Sequence, residues 1–176
     1  MAGIDETRTF IPIGIAVLTI SDTRTEANDE SGDTLIARLE GVGHTLAARA
    51  VIIDDPARIA KQVTDWANKD GIDVIITNGG TGVTGRDVTP EALRPLFDKE
   101  IEGFGELFRM ISYDKVGTST MQSRALGGLI GNTYVFALPG SPFACKDGWD
   151  EILKYQLDAR HRPCNLVELM PRLMER

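Results

Sequence analysis

The apolar positions of this chain fall into two rhythms. Continuous runs occur at Ile13-Gly14-Ile15-Ala16-Val17-Leu18-Thr19-Ile20, over 74–77 within Ile72-Asp73-Val74-Ile75-Ile76, and at Tyr134-Val135-Phe136-Ala137-Leu138, and a second strand is predicted near Ala48 to Ile53. A run without polar alternation marks a strand covered on both faces, as in a parallel sheet. Between these runs the apolar spacing changes to three and four. Leu35, Ile36 and Leu39 share a face of a helix predicted near 32–40, with Gly41 and Gly43 to end it, and Ile59, Val63 and Trp66 share one over about 56–68. Further helices are predicted over about 90–97, 105–112 and from Pro142 to about 157. Residues 1 to about 12 read as a polar arm, 127–133 as a glycine-rich turn region, and Arg160-His161-Arg162-Pro163-Cys164-Asn165 as irregular chain in a C-terminal extension, 158–176. Strands alternating with helices predict an α/β fold with a mostly parallel sheet, covered on both faces and built with right-handed crossovers. At 176 residues, one domain spanning 1–176 is expected, large enough to bury a core without disulfides.

The formal net charge is -7. An acidic chain has no electrostatic reason to coat nucleic acid or an anionic membrane, so neither is expected as a partner. If the ligand is anionic, the positive field must be local. Cys145 and Cys164 lack metal or redox spacing and read as inert thiols, and a count of two histidines argues against a His-rich zinc site. The first residues lack a basic and then apolar leader, and no apolar run approaches the ~20 residues of a spanning helix. A cytoplasmic protein is expected.

Candidate chemistry gathers at predicted strand ends, where open α/β sheets bind ligands. The first strand ends in Thr19-Ile20-Ser21-Asp22, the second in Asp54-Asp55-Pro56, and the late strand in Leu138-Pro139-Gly140-Ser141-Pro142. The third opens into Asn78-Gly79-Gly80-Thr81-Gly82-Val83-Thr84-Gly85-Arg86-Asp87-Val88-Thr89-Pro90-Glu91. Four glycines within residues 79–85 let backbone N–H groups approach a ligand closely. Asp87 follows, and then Thr89 as a candidate cap before Pro90. The combination suits an anion and a metal. Asp87 can equally turn or cap the backbone, Asp54 and Asp55 can simply start a helix, and Ser141 can cap one while also contacting an anion. Arg124 and Lys146 read by default as solvated charges, and Trp66 and Trp149 as core.

Gly80-Thr81-Gly82-Val83-Thr84-Gly85 matches the dinucleotide fingerprint GxGxxG, but in the wrong context. It follows the third strand, not the first, and the helix begins several residues too late. No Gly-Lys-Ser/Thr follows, which excludes a Walker loop.

Leu18-Thr19-Ile20-Ser21-Asp22, Gly79-Gly80-Thr81-Gly82 with Arg86-Asp87-Val88-Thr89-Pro90-Glu91-Ala92, and Leu138-Pro139-Gly140-Ser141-Pro142 together resemble the MoaB/MogA family of molybdenum cofactor biosynthesis proteins. The resemblance spans about residues 10–168. The MoaB branch is favoured by Pro95-Leu96-Phe97-Asp98, Glu102-Gly103-Phe104-Gly105-Glu106, the Gly117–Arg124 stretch and Gln156-Leu157-Asp158-Ala159-Arg160. It implies a three-layer α/β/α sandwich, and a homotrimer or a hexamer of two trimers. It also implies magnesium-dependent adenylylation of molybdopterin by ATP, releasing pyrophosphate, with a molybdenum-insertion protein downstream.

By the same resemblance, Asp87 and Asp54, with Asp55 one register away, are the catalytic and magnesium-holding carboxylates. Gly79, Gly80, Thr81 and Gly82 cradle phosphate, and Ser21, Asp22, Arg86 and Thr89 line the same edge. Ser123 and Arg124 lie near the pterin or its phosphate, and Pro139, Gly140 and Ser141 close the nucleotide side. The chain departs from many relatives at Asn78, commonly threonine, and at Ser141, frequently asparagine or glutamine. A non-catalytic molybdopterin-binding or scaffold protein is the alternative, and an unrelated nucleotide enzyme the third.

Overall fold

The computed structural model describes residues 2–175; Met1 and Arg176, the outermost residues of the expected arm and extension, lie outside the described residues. After β1 (Gly3–Ile4) the chain runs through β2 (Gly14–Ile20), α1 (Glu30–Gly41), β3 (Thr45–Ile52), α2 (Pro56–Ala67) and β4 (Val74–Asn78). Then come α3 (Thr89–Leu93), β5 (Lys99–Glu100), α4 (Glu102–Val116), β6 (Leu126–Ile130), β7 (Thr133–Leu138) and α5 (Pro142–Gly148). A π-helical turn, Trp149–Leu153, carries α5 into α6 (Lys154–Gln156), followed by β8 (His161–Arg162) and a 3-10 helix, Val167–Arg172.

Six strands form the central sheet in the order β3-β2-β4-β7-β6-β5. β3, β2, β4 and β7 are parallel, and β6 and β5 extend the sheet antiparallel. Successive residues of a strand point to opposite faces. Ile15 and Val17 therefore pack with Leu35 and Leu39 of α1, Phe104 and Phe108 of α4 and Trp149. Ala16 and Leu18 pack on the other face with Ile59 and Val63 of α2 and Leu93 of α3. This is the expected α/β/α sandwich, and two covered faces explain why the runs of β2, β4 and β7 are so apolar. Among the described residues no helix is long and apolar enough to cross a membrane.

Register places the site. Ile20 pairs with Ile52, Thr19 with Asn78, and Asn78 with Leu138, so four parallel strands end along one edge. α1 crosses one face of the sheet and α2 the other, so the chain diverges around β2 and β4. The crevice at such a switch point is where ligands enter α/β sheets.

Three expectations change. The glycine-rich stretch after Ala125 is a strand, β6, with only Gly131-Asn132 between it and β7. Its glycines are required by packing, because a methyl at Gly128 would overlap the Phe97 ring and one at Gly127 would meet Phe136 at 2.8 Å. Only Gly131, at φ +56°, is a turn residue by conformation. The segment after Ala159 is not wholly irregular, since β8 pairs antiparallel with β1 and ties down the N-terminal arm. Thr89 does not cap α3: it is the first helical residue, and its buried hydroxyl donates to the Gly79 carbonyl at 2.9 Å.

Candidate functional site

The loop after β4 is shaped from beneath. Gly79 and Gly80 have φ of +100° and +64°, the left-handed region that favours glycine. A methyl on Gly79 would overlap the Ile20 carbonyl, and one on Gly80 would meet Asp54 Oδ1 at 2.9 Å and overlap Thr89. Donors below and beside the loop then take its carbonyls in turn. Thr89 Oγ1 donates to Gly79 O and Thr89 N–H to Gly80 O at 3.0 Å. Arg124 N–H donates to Thr81 O at 2.9 Å and Arg124 Nε to Gly82 O at 2.6 Å. With the carbonyls held back, the N–H groups of Gly80 and Thr81 have no protein acceptor among the described residues. An unpaired backbone donor at a cleft calls for an outside acceptor.

This loop forms one wall of an open polar cleft of about 310 Å³. Ser21, Asp54, Gly79, Gly80, Thr81, Gly82, Arg86, Asp87, Pro139 and Gly140 line it, so ten of the residues singled out in the sequence meet in one place. Asp22 stands at the rim, where Arg86 Nε and a terminal nitrogen hold its two carboxylate oxygens at 2.8 and 2.7 Å. The Asp54 N–H also donates to Asp22, at 3.2 Å. Arg86 holds the Asp22 carboxyl below its usual range.

The two candidate carboxylates differ in support. For Asp54, burial and then repulsion from Asp22 push the carboxyl upward, with Asp87 adding to it and the Arg86 charge only partly offsetting. Asp87 is also penalised by burial, but Thr84 Oγ1 and Thr84 N–H, at 2.6 and 2.9 Å, together with the Gly82 N–H bring it below its usual value. The adjacent Asp55 points elsewhere and caps α2, accepting from the Arg58 N–H at 2.8 Å. Of the two adjacent carboxylates, Asp54 lines the cleft and Asp55 starts the helix.

A second cavity of about 310 Å³ shares Thr81, Gly82 and Pro139 with the first and is mostly apolar. Phe108, Val116, Phe143 and Ala144 line it, with Lys115, Ser119, Ser123 and Ser141 at its polar edges. Lys115 and Asp147 pair across it at 2.6 Å. Ser141 belongs to this cavity and caps α5 as the sequence suggested, accepting from Ala144 N–H at 3.1 Å. Arg124 is not a solvated charge. It lies behind the glycine loop, donating to Gly82 O and Asp87 O and pairing with Glu91, so it positions the loop.

Two lining residues, Arg24 and Phe143, were not anticipated, whereas Thr19 and Asn78 stood within the quoted strand ends. Asn78 and Thr19 form the floor, with Asn78 Nδ2 donating to Thr19 Oγ1 at 2.8 Å, and Thr19 Oγ1 donating to the buried Asp29 carboxylate at 2.6 Å. Arg24 lines the cleft, and Phe143 the neighbouring cavity. Position after a strand end was the only sequence signal for Arg24; nothing local marked Phe143.

Fold and site define an α/β protein with bare backbone amides and carboxylates at the strand ends beside a mostly apolar compartment. The sequence profile of the family described as "Probable molybdopterin binding domain" matches residues 16–159. Molybdenum cofactor biosynthesis protein B of Escherichia coli K12 is 48% identical over 156 residues, covering 89% of this chain and 92% of that protein. A crystal structure of a molybdenum cofactor biosynthesis protein B superposes with a TM-score of 0.86 at 40% identity, covering 96% of this chain and all of the other. The tungsten cofactor synthesizing protein MoaB of Pyrococcus furiosus gives 0.72 at 38% identity, over 81% of this chain and 91% of that one. The chain belongs to the MoaB/MogA family of molybdenum cofactor biosynthesis proteins.

Proposed function

We infer that this protein transfers the adenylyl group of ATP to the terminal phosphate of molybdopterin, releasing pyrophosphate. One observation carries the reading: two cavities of similar size, one polar and lined by bare amides and carboxylates, the other mostly apolar, meet at Thr81, Gly82 and Pro139. That arrangement suits two ligands whose reacting ends are phosphates.

The attacking phosphate oxygen is already anionic, so the work lies in positioning two anions and stabilising the leaving group. The Gly80 and Thr81 amides hold phosphate oxygens at fixed positions. Asp22, Arg86 and the Asp54 amide keep the rim in place. Asp54 and Asp87 would hold magnesium. Their chemistry fits, because Asp54 is a crowded carboxylate raised by burial and like charge, and magnesium usually takes one or two carboxylates with substrate phosphates and water. When bound, the ion supplies neutralising charge at those phosphates. The mostly apolar cavity, with Phe143 and Phe108, suits the flat pterin. By the family resemblance the protein is also proposed to be a homotrimer or hexamer; sizing should give a mass of three or six chains, and a monomer mass contradicts it.

The test is pyrophosphate release from ATP. It should require both molybdopterin and magnesium. Tight molybdopterin binding without pyrophosphate release would instead identify a non-catalytic pterin-binding or scaffold protein.

A further inference from the structure

The cleft that takes the phosphates carries two lining arginines, and only one of them is available. Arg86 is fixed by both oxygens of Asp22. Arg124, behind the loop, is engaged by two carbonyls and Glu91. Arg24 lines the cleft, is half-buried, and its guanidinium has no hydrogen-bond or ion-pair partner among the described residues.

Its placement is built by the loop after β2. Ser21 Oγ accepts from the N–H groups of Thr23 and Arg24 at 3.3 and 3.2 Å, a tight turn that fixes the backbone where Arg24 departs. The same turn sends Asp22 to the Arg86 side. Arg24 therefore shares the cleft lining with the Gly79–Gly82 loop, Pro139 and Gly140.

Two carboxylates face an anionic ligand here, in a protein whose net charge is -7. A cation besides magnesium is needed, and a guanidinium without a carboxylate partner is suited to phosphate oxygens. We propose that Arg24 binds a substrate phosphate against the Gly79–Gly82 loop. The assignment rests on the adenylyl-transfer reading for what that phosphate belongs to: the triphosphate of ATP or the terminal phosphate of molybdopterin.

Calorimetric titration of the unsubstituted protein, Arg24→Gln and Arg24→Lys with ATP–magnesium, with inorganic pyrophosphate and with molybdopterin separates the possibilities. Because the Arg24 side chain makes no internal bond, Arg24→Gln should melt with the unsubstituted protein. It should lose about 10- to 100-fold in affinity, the usual worth of a hydrogen bond to a charged group, with Arg24→Lys between. Loss confined to ATP and pyrophosphate assigns the nucleotide; loss confined to molybdopterin assigns the pterin phosphate. If the unsubstituted protein binds these ligands and Arg24→Gln binds them equally well, the Arg24 assignment fails while the functional reading stands. If the unsubstituted protein binds none, both fail. In the unsubstituted protein, phenylglyoxal should modify Arg24 and saturating ligand should protect it; modification unchanged by ligand would overturn the assignment independently of any variant.

Discussion

Among the cleft carboxylates, Asp54 has the least support from its neighbours. Burial and repulsion by Asp22 outweigh the Arg86 charge, so its folded-state carboxyl lies above the ordinary 3.8. A group raised in this way binds its proton more tightly folded than unfolded, and its ionisation opposes folding. The penalty is fully present above the raised value and vanishes below the ordinary one. Asp54→Asn should therefore melt higher than the unsubstituted protein at neutral pH, by about 2 °C or more, while losing activity. The gain should shrink as pH falls toward 3.8. A variant that melts lower at neutral pH in metal-free buffer contradicts the crowding of this carboxylate. Local sequence left Asp54 and Asp55 interchangeable, since either carboxylate can precede Pro56. Only the fold shows that the cap of α2 takes one and leaves the other to the cleft. Arg124 was similarly illegible, because its contacts lie more than 30 residues away in the chain.

At the scale of elements, the glycine loop meets a pair of requirements: close approach to β2 and carbonyls pulled away from the cleft. Gly79→Ala would push a methyl into the Ile20 carbonyl from a left-handed backbone, which should cost ~3 kcal/mol or more and remove phosphate binding. Gly85→Ala has open space and an ordinary backbone, so its unfolding free energy from denaturant titration should stay within ~0.5 kcal/mol of the unsubstituted value. Equal losses at the two positions would contradict the loop account. The same contrast explains why the GxGxxG match was misleading: its last glycine packs against nothing, whereas the glycine outside the motif, Gly79, touches the strand. The strands β2, β4 and β7 were legible because burial on both faces leaves an unbroken apolar signature. β6 was not, because Leu126-Gly127-Gly128-Leu129-Ile130 carries glycines for the sake of Phe97 and Phe136, and composition alone reads such a stretch as a turn.

Across the whole molecule, the ends of the chain hold each other. β1 pairs with β8, Arg8 donates to the Ala159 carbonyl and pairs with Glu168, and Arg160 lies 5.2 Å over the Phe10 ring. Phe10 in turn packs at 5.0 Å from the buried His44 ring. A polar arm in the sequence is thus a strap in the structure, visible only once its partner segment is known. Deleting residues 2–10 should lower the melting temperature by several degrees while leaving ligand affinity in the strand-end cleft intact, because no arm residue lines that cleft. An unchanged melting temperature would contradict the strap. The cleft itself depends on the largest-scale feature, four parallel strands ending in register around the switch between β2 and β4. The central claim is that this edge brings a nucleotide and a pterin phosphate together. The most direct measurement uses ATP labelled at its α-phosphate, with molybdopterin and magnesium, and follows the label by chromatography in the unsubstituted protein and in Asp87→Ala. Label appearing on molybdopterin with the unsubstituted protein, and absent with a folded Asp87→Ala, is the predicted result; label that stays in ATP with both, at ligand concentrations where both substrates are bound, contradicts it.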